Sequence, residues 1–443
     1  MKRIYIRTFG CQMNIRDSEF VAGLLLEDGF AFADSMDKAD VILFNSCSVR
    51  KHAEDRLFSN IADLKKLKKR RPDIVIGLIG CTAQKYMEKA LERSALIDLV
   101  CGPGNEWELP HIIRGVLDDR CTIIAADKVN TARPELFPGY REHRFKSYVS
   151  IMEGCDNYCS YCIVPYVRGR ERSREEKSIL REVRVLADAG CKEITLLGQN
   201  VNSYKSPRST VHGPRSGCGF VRLLEELNKV EGIERIRFMT SHPKDASVKL
   251  FEAMRGLDKV CEHLHLPLQS GSDRVLRAMN RRYTAKRYAG LIDEYRRLVP
   301  GGSVTTDIIV GFPSETERDF KKTVSMVKGI GFDGAYIFKY SPRPPARSAG
   351  LKDDVPLETK ARRLQELLGL QCEISALRNA PLDGKVVEVL VDGESDKSAQ
   401  FLAGRTRTNK VVVFKGKGPL VGKLVDVRIE VTAPHTLKGR LAE

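Results

Sequence analysis

The stretch MEGCDNYCSYCIVPYVRGRERSR, Met152–Arg174, gathers Cys155, Cys159 and Cys162 in a C-x3-C-x2-C spacing, with no fourth metal-type ligand nearby. A structural zinc site normally completes four ligands, usually as two pairs. Three closely spaced thiolates suit an iron–sulfur cluster better, and they leave one iron of a cubane open to another ligand. The CSYC portion alone would fit a redox pair, but Cys155 lies close by and the helix-opening context of such pairs is missing. The triplet directly follows the apolar run YVSIM. That run reads as a strand, and in α/β folds chemistry gathers at the carboxyl ends of strands.

Working outward, YVSIM opens a series of strand candidates: EITLLG, RIRFMTS, HLHLPL, VTTDIIVGF and GAYIFKY. Helical segments such as REEKSILREVRVLADAG separate them. Six β/α units fall short of the eight of a closed barrel, so residues 145–375 are expected to form a partial (β/α)6 TIM-like barrel. Before it, residues 1–120 alternate continuous apolar strands (RIYIRTFG, ADVILFNSC, DIVIGLIGC, IDLVCG) with helical patterns. This implies a doubly wound parallel sheet. Residues 121–144, rich in charge, proline and glycine, read as a linker. After the helical LETKARRLQELLGLQCEISALRN, residues 378–443 break into short β runs split by glycine, a small all-β barrel. The fold class is thus α/β with a small β-barrel at its carboxyl end.

The 443 residues carry a formal net charge of +16, which points to an acidic partner, nucleic acid being the commonest. Twelve cysteines with no secretory pattern argue for metal ligation in the cytoplasm rather than a disulfide framework. No apolar run is long enough to span a membrane. In the first unit Cys11, Cys47 and Cys81 each follow a strand of one parallel sheet, so they can converge at one rim. Cys101 has a similar setting, and small buried cysteines at strand ends are common. Cys121, Cys191, Cys218, Cys261 and Cys372 read as isolated positions. Arg405 and Arg407, with Lys410, Lys415 and Lys417, place positive charge on the terminal barrel, either an RNA-binding module or a solvated basic face. The run KKLKKRR at 65–71 reads as a solvated helix end.

Taken together, these residues resemble the radical S-adenosylmethionine methylthiotransferases over essentially the whole chain. GCQMN (Gly10–Asn14), NSCSVR (Asn45–Arg50) and GC (Gly80–Cys81) look like the cysteine motifs of that family's amino-terminal domain, and the last unit resembles a TRAM domain. Within the family, LLGQNVNSY, LHLPLQSGSDRVLRAMNRRYT, TTDIIVGFP and YSPRP look like the members that act on isopentenylated adenosine in tRNA.

The resemblance implies two 4Fe-4S clusters. Cys155, Cys159 and Cys162 would hold the one that binds S-adenosylmethionine, whose reductive cleavage gives a 5'-deoxyadenosyl radical. Cys11, Cys47 and Cys81 would hold an auxiliary cluster carrying the sulfur to be methylated and transferred, with a second S-adenosylmethionine as methyl donor. The expected reaction is methylthiolation of carbon 2 of N(6)-isopentenyladenosine next to the anticodon. The partners would be the anticodon stem-loop of tRNA and an electron donor, with the chain acting as a monomer. By rim position, Gln199, Asn200, Ser241, Gln269 and Asp307 are candidates for the cofactor's polar groups, with His242, Ser270 and Tyr340 beside them. Arg168, Arg170, Arg172, Arg281 and Arg282 are candidate RNA contacts, with Arg174, Lys286 and Arg287 nearby. Two other readings remain: a relative acting on threonylcarbamoyl-adenosine or a ribosomal protein side chain, and a structural RNA-binding protein that uses its cysteines for zinc.

Overall fold

The computed structural model describes residues 1–49, 51–127, 129, 134–207, 219–395 and 398–442. The strand Arg3–Phe9 pairs in parallel with Ala31–Phe32 on one side and Val41–Ser46 on the other. Val75–Ile79, Leu99–Cys101 and Ile123–Ala125 continue the parallel sheet outward. Alternation of side chains splits its core in two. Ile42, Phe44, Ile76 and Leu78 pack on one face with Leu57 and Ile61. Val41, Leu43, Val75 and Ile79 pack on the other with Leu24, Leu25 and Ile113. Both faces are covered, which is why these strands read as unbroken apolar runs. The first and third strands are neighbours while the second lies outside them, so the topological switch point falls between Arg3–Phe9 and Val41–Ser46. Open α/β sheets bind ligands at the carboxyl ends beside that point. Cys11 and Cys47 stand on its two sides.

Lys146–Ser150, Glu193–Leu197 and Arg235–Phe238 form one parallel array; His263–His265, Ser303–Val310 and Gly334–Lys339 form another. A parallel bridge between Ile236 and Val260 joins them. The result is six strands in sequence order, open between the first and last, around one large core. Residues 134–145 cross from the first sheet without regular structure. They lie on the helix Gln12–Glu27, where a Cβ at Gly23 would meet Pro138 at 2.3 Å and Glu142 donates its backbone N–H to Glu19.

The terminal unit is a closed five-stranded barrel from Val386–Ser395 to Leu437–Leu441 around Val389, Leu402, Val412, Phe414 and Ile429. It docks beneath the amino ends of the six strands. Arg235 donates to the carbonyl of Arg405 at 2.8 Å, Arg237 to that of Thr406 at 2.8 Å, and Lys410 pairs with Asp333 at 2.8 Å. The fold class expected from sequence is the one observed. The 65–71 run differs from a simple solvated end: Leu67 is buried, Lys68 pairs with Asp98 at 2.7 Å and Arg71 with Asp40 at 3.2 Å. Lysine and arginine stems cover apolar surface while their heads find carboxylates.

Candidate active site

The first sheet ends in tight turns that bring its cysteines together. Gly10 has φ +151°, and a Cβ there would meet the Cys47 side chain at 2.6 Å, so only glycine lets the two loops touch. Asn14 and Asn45 lock them. Asn14 accepts from the Cys11 backbone N–H at 3.3 Å and donates to Asn45 at 2.9 Å; Asn45 donates back to the Asn14 carbonyl at 3.0 Å. Cys47 and Cys81 are buried and Cys11 is exposed. A hydrogen bond from Cys47 pulls the Cys11 thiol down to about 6, and pushes Cys47 well above the usual thiol range. Burial pushes Cys81 up to about 11. Beside them the buried hydroxyls of Ser46, Ser48 and Thr82 have no partner among the described residues.

The second triplet is set by the turn at Gly154, φ +74°, where a Cβ would meet the Arg170 carbonyl at 2.0 Å. Cys155 donates its backbone N–H to the Gly169 carbonyl at 3.1 Å, and Cys162 to that of Cys159 at 2.9 Å. Asn157 donates to the Cys155 sulfur at 3.5 Å and Arg281 to the Cys159 sulfur at 3.4 Å. Burial raises Cys155 to about 11 and Cys162 to about 12. Thiols held protonated by burial release protons when they ligate metal. Among the described residues no three His, Cys, Asp or Glu side chains close round a single metal ion. Each triplet instead offers an all-sulfur donor set whose members sense one another's charge, which fits an iron–sulfur cluster.

The two triplets share one neighbourhood. The short helix Val164–Val167 follows Cys162, and Ile163 and Val167 pack on Cys81 in one apolar cluster. Arg168, next in the chain, donates through Nε to the Cys81 sulfur at 3.1 Å and pairs with Asp17 at 2.5 Å.

Around the barrel rim, buried polar atoms without a partner among the described residues accumulate: Gln199 Oε1, Asn200 Oδ1, Ser241 Oγ, His242 Nε2 and Gln269 Oε1. Native interiors leave few such atoms, and each asks for a ligand or water. Gln269 has φ +67°, and strained backbone of this kind collects at ligand clamps. Burial, with Arg281, Lys244 and Arg282 nearby, holds His242 down to about 2, so its ring is neutral. Its Nδ1 accepts from the Lys244 backbone N–H at 3.1 Å, which places the ring proton on the unpartnered Nε2. These orphaned donors and acceptors fit the amino, carboxylate and ribose groups of S-adenosylmethionine. Asp307 lies lower, in mid-strand, 3.4 Å from His265. Two neighbours of the expected set are spoken for internally: Tyr340 donates to the Ser348 carbonyl at 2.8 Å, and Ser270 bonds Thr323 and the Ser272 N–H.

The arginines divide. Arg168 and Arg281, expected to meet RNA, are 5% and 7% exposed and bonded to cysteine sulfurs. Desolvating a guanidinium requires acceptors, and the fold supplies Asp17 to one and the Pro267 carbonyl to the other. Arg407 is also redirected, to a two-pronged pair with Glu262 at 2.7–3.2 Å that fastens the barrel. Arg174 pairs with Glu182 at 2.7 Å and Arg172 lies 3.7 Å from Glu153. Arg170, on Asp156, is exposed, as are Arg282 and Arg405. All three domains line a cavity of about 290 Å³, through Gln12 and Glu19, Tyr148 and Tyr336, and Arg405. Sequence reasoning missed Asp17, Asn14 and Asn45 as organisers of the site. The asparagines lay inside the quoted motifs; nothing local marks Asp17.

Three family models match the chain: Uncharacterized protein family UPF0004 over residues 3–102, the Radical SAM superfamily over 149–327 and the TRAM domain over 382–442. The chain is 46% identical over 441 residues to a protein of Thermoanaerobacter sp. (strain X514) named tRNA-2-methylthio-N(6)-dimethylallyladenosine synthase, covering 99% of this chain and 92% of that one. A protein of the same name from Carboxydothermus hydrogenoformans is 46% identical over 442 residues, 99% of each chain. Among solved structures, the radical S-adenosylmethionine methyltransferase TsrM from Kitasatospora setae, with cobalamin and a 4Fe-4S cluster bound, superposes with a TM-score of 0.55. It is 15% identical, over 79% of this chain and 77% of that one, a likeness of fold. No described helix is long and apolar enough to cross a membrane.

Proposed function

Because this chain belongs to the family of tRNA-2-methylthio-N(6)-dimethylallyladenosine synthases, we propose that it methylthiolates carbon 2 of N(6)-isopentenyladenosine next to the anticodon of tRNA. It is a radical S-adenosylmethionine enzyme, and its cofactors include S-adenosylmethionine and a 4Fe-4S cluster. When bound, that pair supplies a 5'-deoxyadenosyl radical able to take hydrogen from an unactivated aromatic carbon, which acid–base chemistry at neutral pH cannot do.

Cys155, Cys159 and Cys162 hold this cluster, and Gln199, Asn200, Ser241, His242 and Gln269 orient the cofactor's polar groups. Cys11, Cys47 and Cys81 hold a second cluster as the site of the sulfur to be transferred. The observation that carries this reading is the shared neighbourhood of the two triplets, joined by Val164–Val167 and Arg168. Cys155 and Cys159 are buried and Cys162 half-buried, which limits water at the second triplet, while the first keeps Cys11 exposed beside buried Cys47 and Cys81. Exposed Arg170, Arg282 and Arg405 meet phosphates of the anticodon stem-loop, positioning without reading sequence. The enzyme works as a cytoplasmic monomer and draws electrons from a separate donor.

The names of the relatives do not favour threonylcarbamoyl-adenosine or a ribosomal protein as substrate, nor a zinc-bearing structural role. The test is turnover in vitro. Anaerobically reconstituted enzyme, S-adenosylmethionine, a reductant and an isopentenylated anticodon stem-loop should yield the methylthio nucleoside. Product from the threonylcarbamoyl stem-loop instead would move the assignment to that substrate.

A further inference from the structure

Arg168 is carried by one domain and spends its bonds on another. Its backbone closes the helix Val164–Val167 that follows Cys162, while its guanidinium reaches Cys81 at 3.1 Å and Asp17 at 2.5 Å. Asp17 lies on the helix that begins directly after Cys11. One residue thus belongs to the second triplet's own loop by its backbone and reaches, by its side chain, one cysteine of the first triplet and the helix that positions another. Its Nη1 is buried and has no partner among the described residues, a donor left over on a guanidinium whose Nε is spent on Cys81. A buried cation with an unused N–H next to a metal-ligating sulfur is an incomplete arrangement until something negative completes it. Arg281 offers an internal comparison, since it gives the Cys159 sulfur a bond of 3.4 Å from within its own domain.

We propose that Arg168 is a positioning residue that raises the reduction potential of the cluster on Cys11, Cys47 and Cys81 and holds that cluster in register with the one on Cys155, Cys159 and Cys162. This rests on the reading that the first triplet binds a 4Fe-4S cluster. Reduction adds negative charge to a cluster, and a fixed cation or N–H donor at a ligating sulfur stabilises the reduced form. The buried setting makes such a charge count for more than it would in water. Because Arg168 bonds only the first triplet and Arg281 only the second, each acts on its own cluster.

The experiment is an anaerobic redox titration followed by electron paramagnetic resonance on the full-length two-cluster enzyme. The signal that S-adenosylmethionine perturbs identifies the Cys155–Cys162 cluster. Arg168→Met should move the potential of the other cluster downward and leave the perturbed one in place; Arg281→Met should do the reverse. Methylthio product per 5'-deoxyadenosine should fall at least tenfold in Arg168→Met. Arg168→Gln, which keeps a polar end without the charge, is read where the Met variant does not retain iron, and it should move the same potential in the same direction. An unmoved potential in the variant read, or an equal shift in both clusters, would overturn the proposal. Wild-type enzyme showing a single cluster would instead overturn the reading on which it rests.

Discussion

Glu54 and Arg343 stand 289 residues apart in the chain and 3.2 Å apart in space. Glu54 belongs to the first sheet's helix Lys51–Asp63, and Arg343 to the YSPRP segment after the last barrel strand. Lys85 completes the group at 2.6 Å from the same carboxylate. All three are largely buried, so the carboxylate neutralises two cations where two domains meet. Removing it strands both. Glu54→Ala should therefore destabilise the chain by about 3 kcal/mol, the usual consequence of an uncompensated buried charge. Denaturant unfolding of the wild type and variant measures this, and a change below about 0.5 kcal/mol, the range of an exposed pair, would contradict the assignment.

The cysteine triplets separate by product. With Cys155, Cys159 and Cys162 all changed to Ala, iron and sulfide should fall from about eight to about four per chain. Formation of 5'-deoxyadenosine should stop. With Cys11, Cys47 and Cys81 changed instead, the iron loss should be the same while 5'-deoxyadenosine continues without methylthio product. Iron analysis and chromatography of the nucleosides check both arms.

Buried orphan atoms around the rim predict cofactor affinity. Gln269→Ala removes one acceptor aimed at no protein group and should raise the Kd for S-adenosylmethionine roughly tenfold, as loss of a hydrogen bond of about 1.5 kcal/mol does. Iron content should not change. Ser270→Ala, one residue on, touches a side chain bonded inside the protein and should leave affinity within about twofold of wild type.

Exposed and fastened arginines of the barrel should behave differently toward RNA. Arg405→Ala should weaken stem-loop binding and lower the magnitude of the salt slope by about one. Arg407→Ala breaks the pair with Glu262 and loosens the barrel from its seat, which limited proteolysis near residues 380–385 would report. Equal salt-slope changes in both variants would contradict the division.

Asp319 sets an acid limit on stability. Burial pushes its carboxyl up, but bonds from Arg274, Ser272 and Thr316 outweigh that and hold it well below the usual range. A depressed folded value means the contribution is present above the unfolded value and is lost as pH falls through the acid range below about 4. Asp319→Asn should cost about 2 kcal/mol at pH 7 and little at the lowest pH. Unfolding midpoints across pH measure the convergence.

The fold was legible because its signals are local and periodic. Unbroken apolar strands alternating with helices specify a covered parallel sheet, and glycine-split β runs specify the small barrel. The second triplet is contiguous, so its spacing alone was enough to propose a ligand set. The first could be proposed only from strand ends, where the switch point between Arg3–Phe9 and Val41–Ser46 sets Cys11 and Cys47 side by side. Arg168 was not legible as a buried group. Four arginines at every second position look like one solvated face, and its partner Asp17 lies 151 residues away. Rim position alone also overreached. Gln269 and Ser270 are adjacent, yet one has an orphaned acceptor and the other is bonded inward, a difference that depends on Thr323 from a later helix.

Nucleoside mass spectrometry of tRNA from a strain lacking this gene tests the central claim most directly. Loss of the 2-methylthio form with accumulation of N(6)-isopentenyladenosine is the predicted result. An unchanged 2-methylthio-isopentenyladenosine level, with the methylthio group missing from threonylcarbamoyl-adenosine instead, would contradict it.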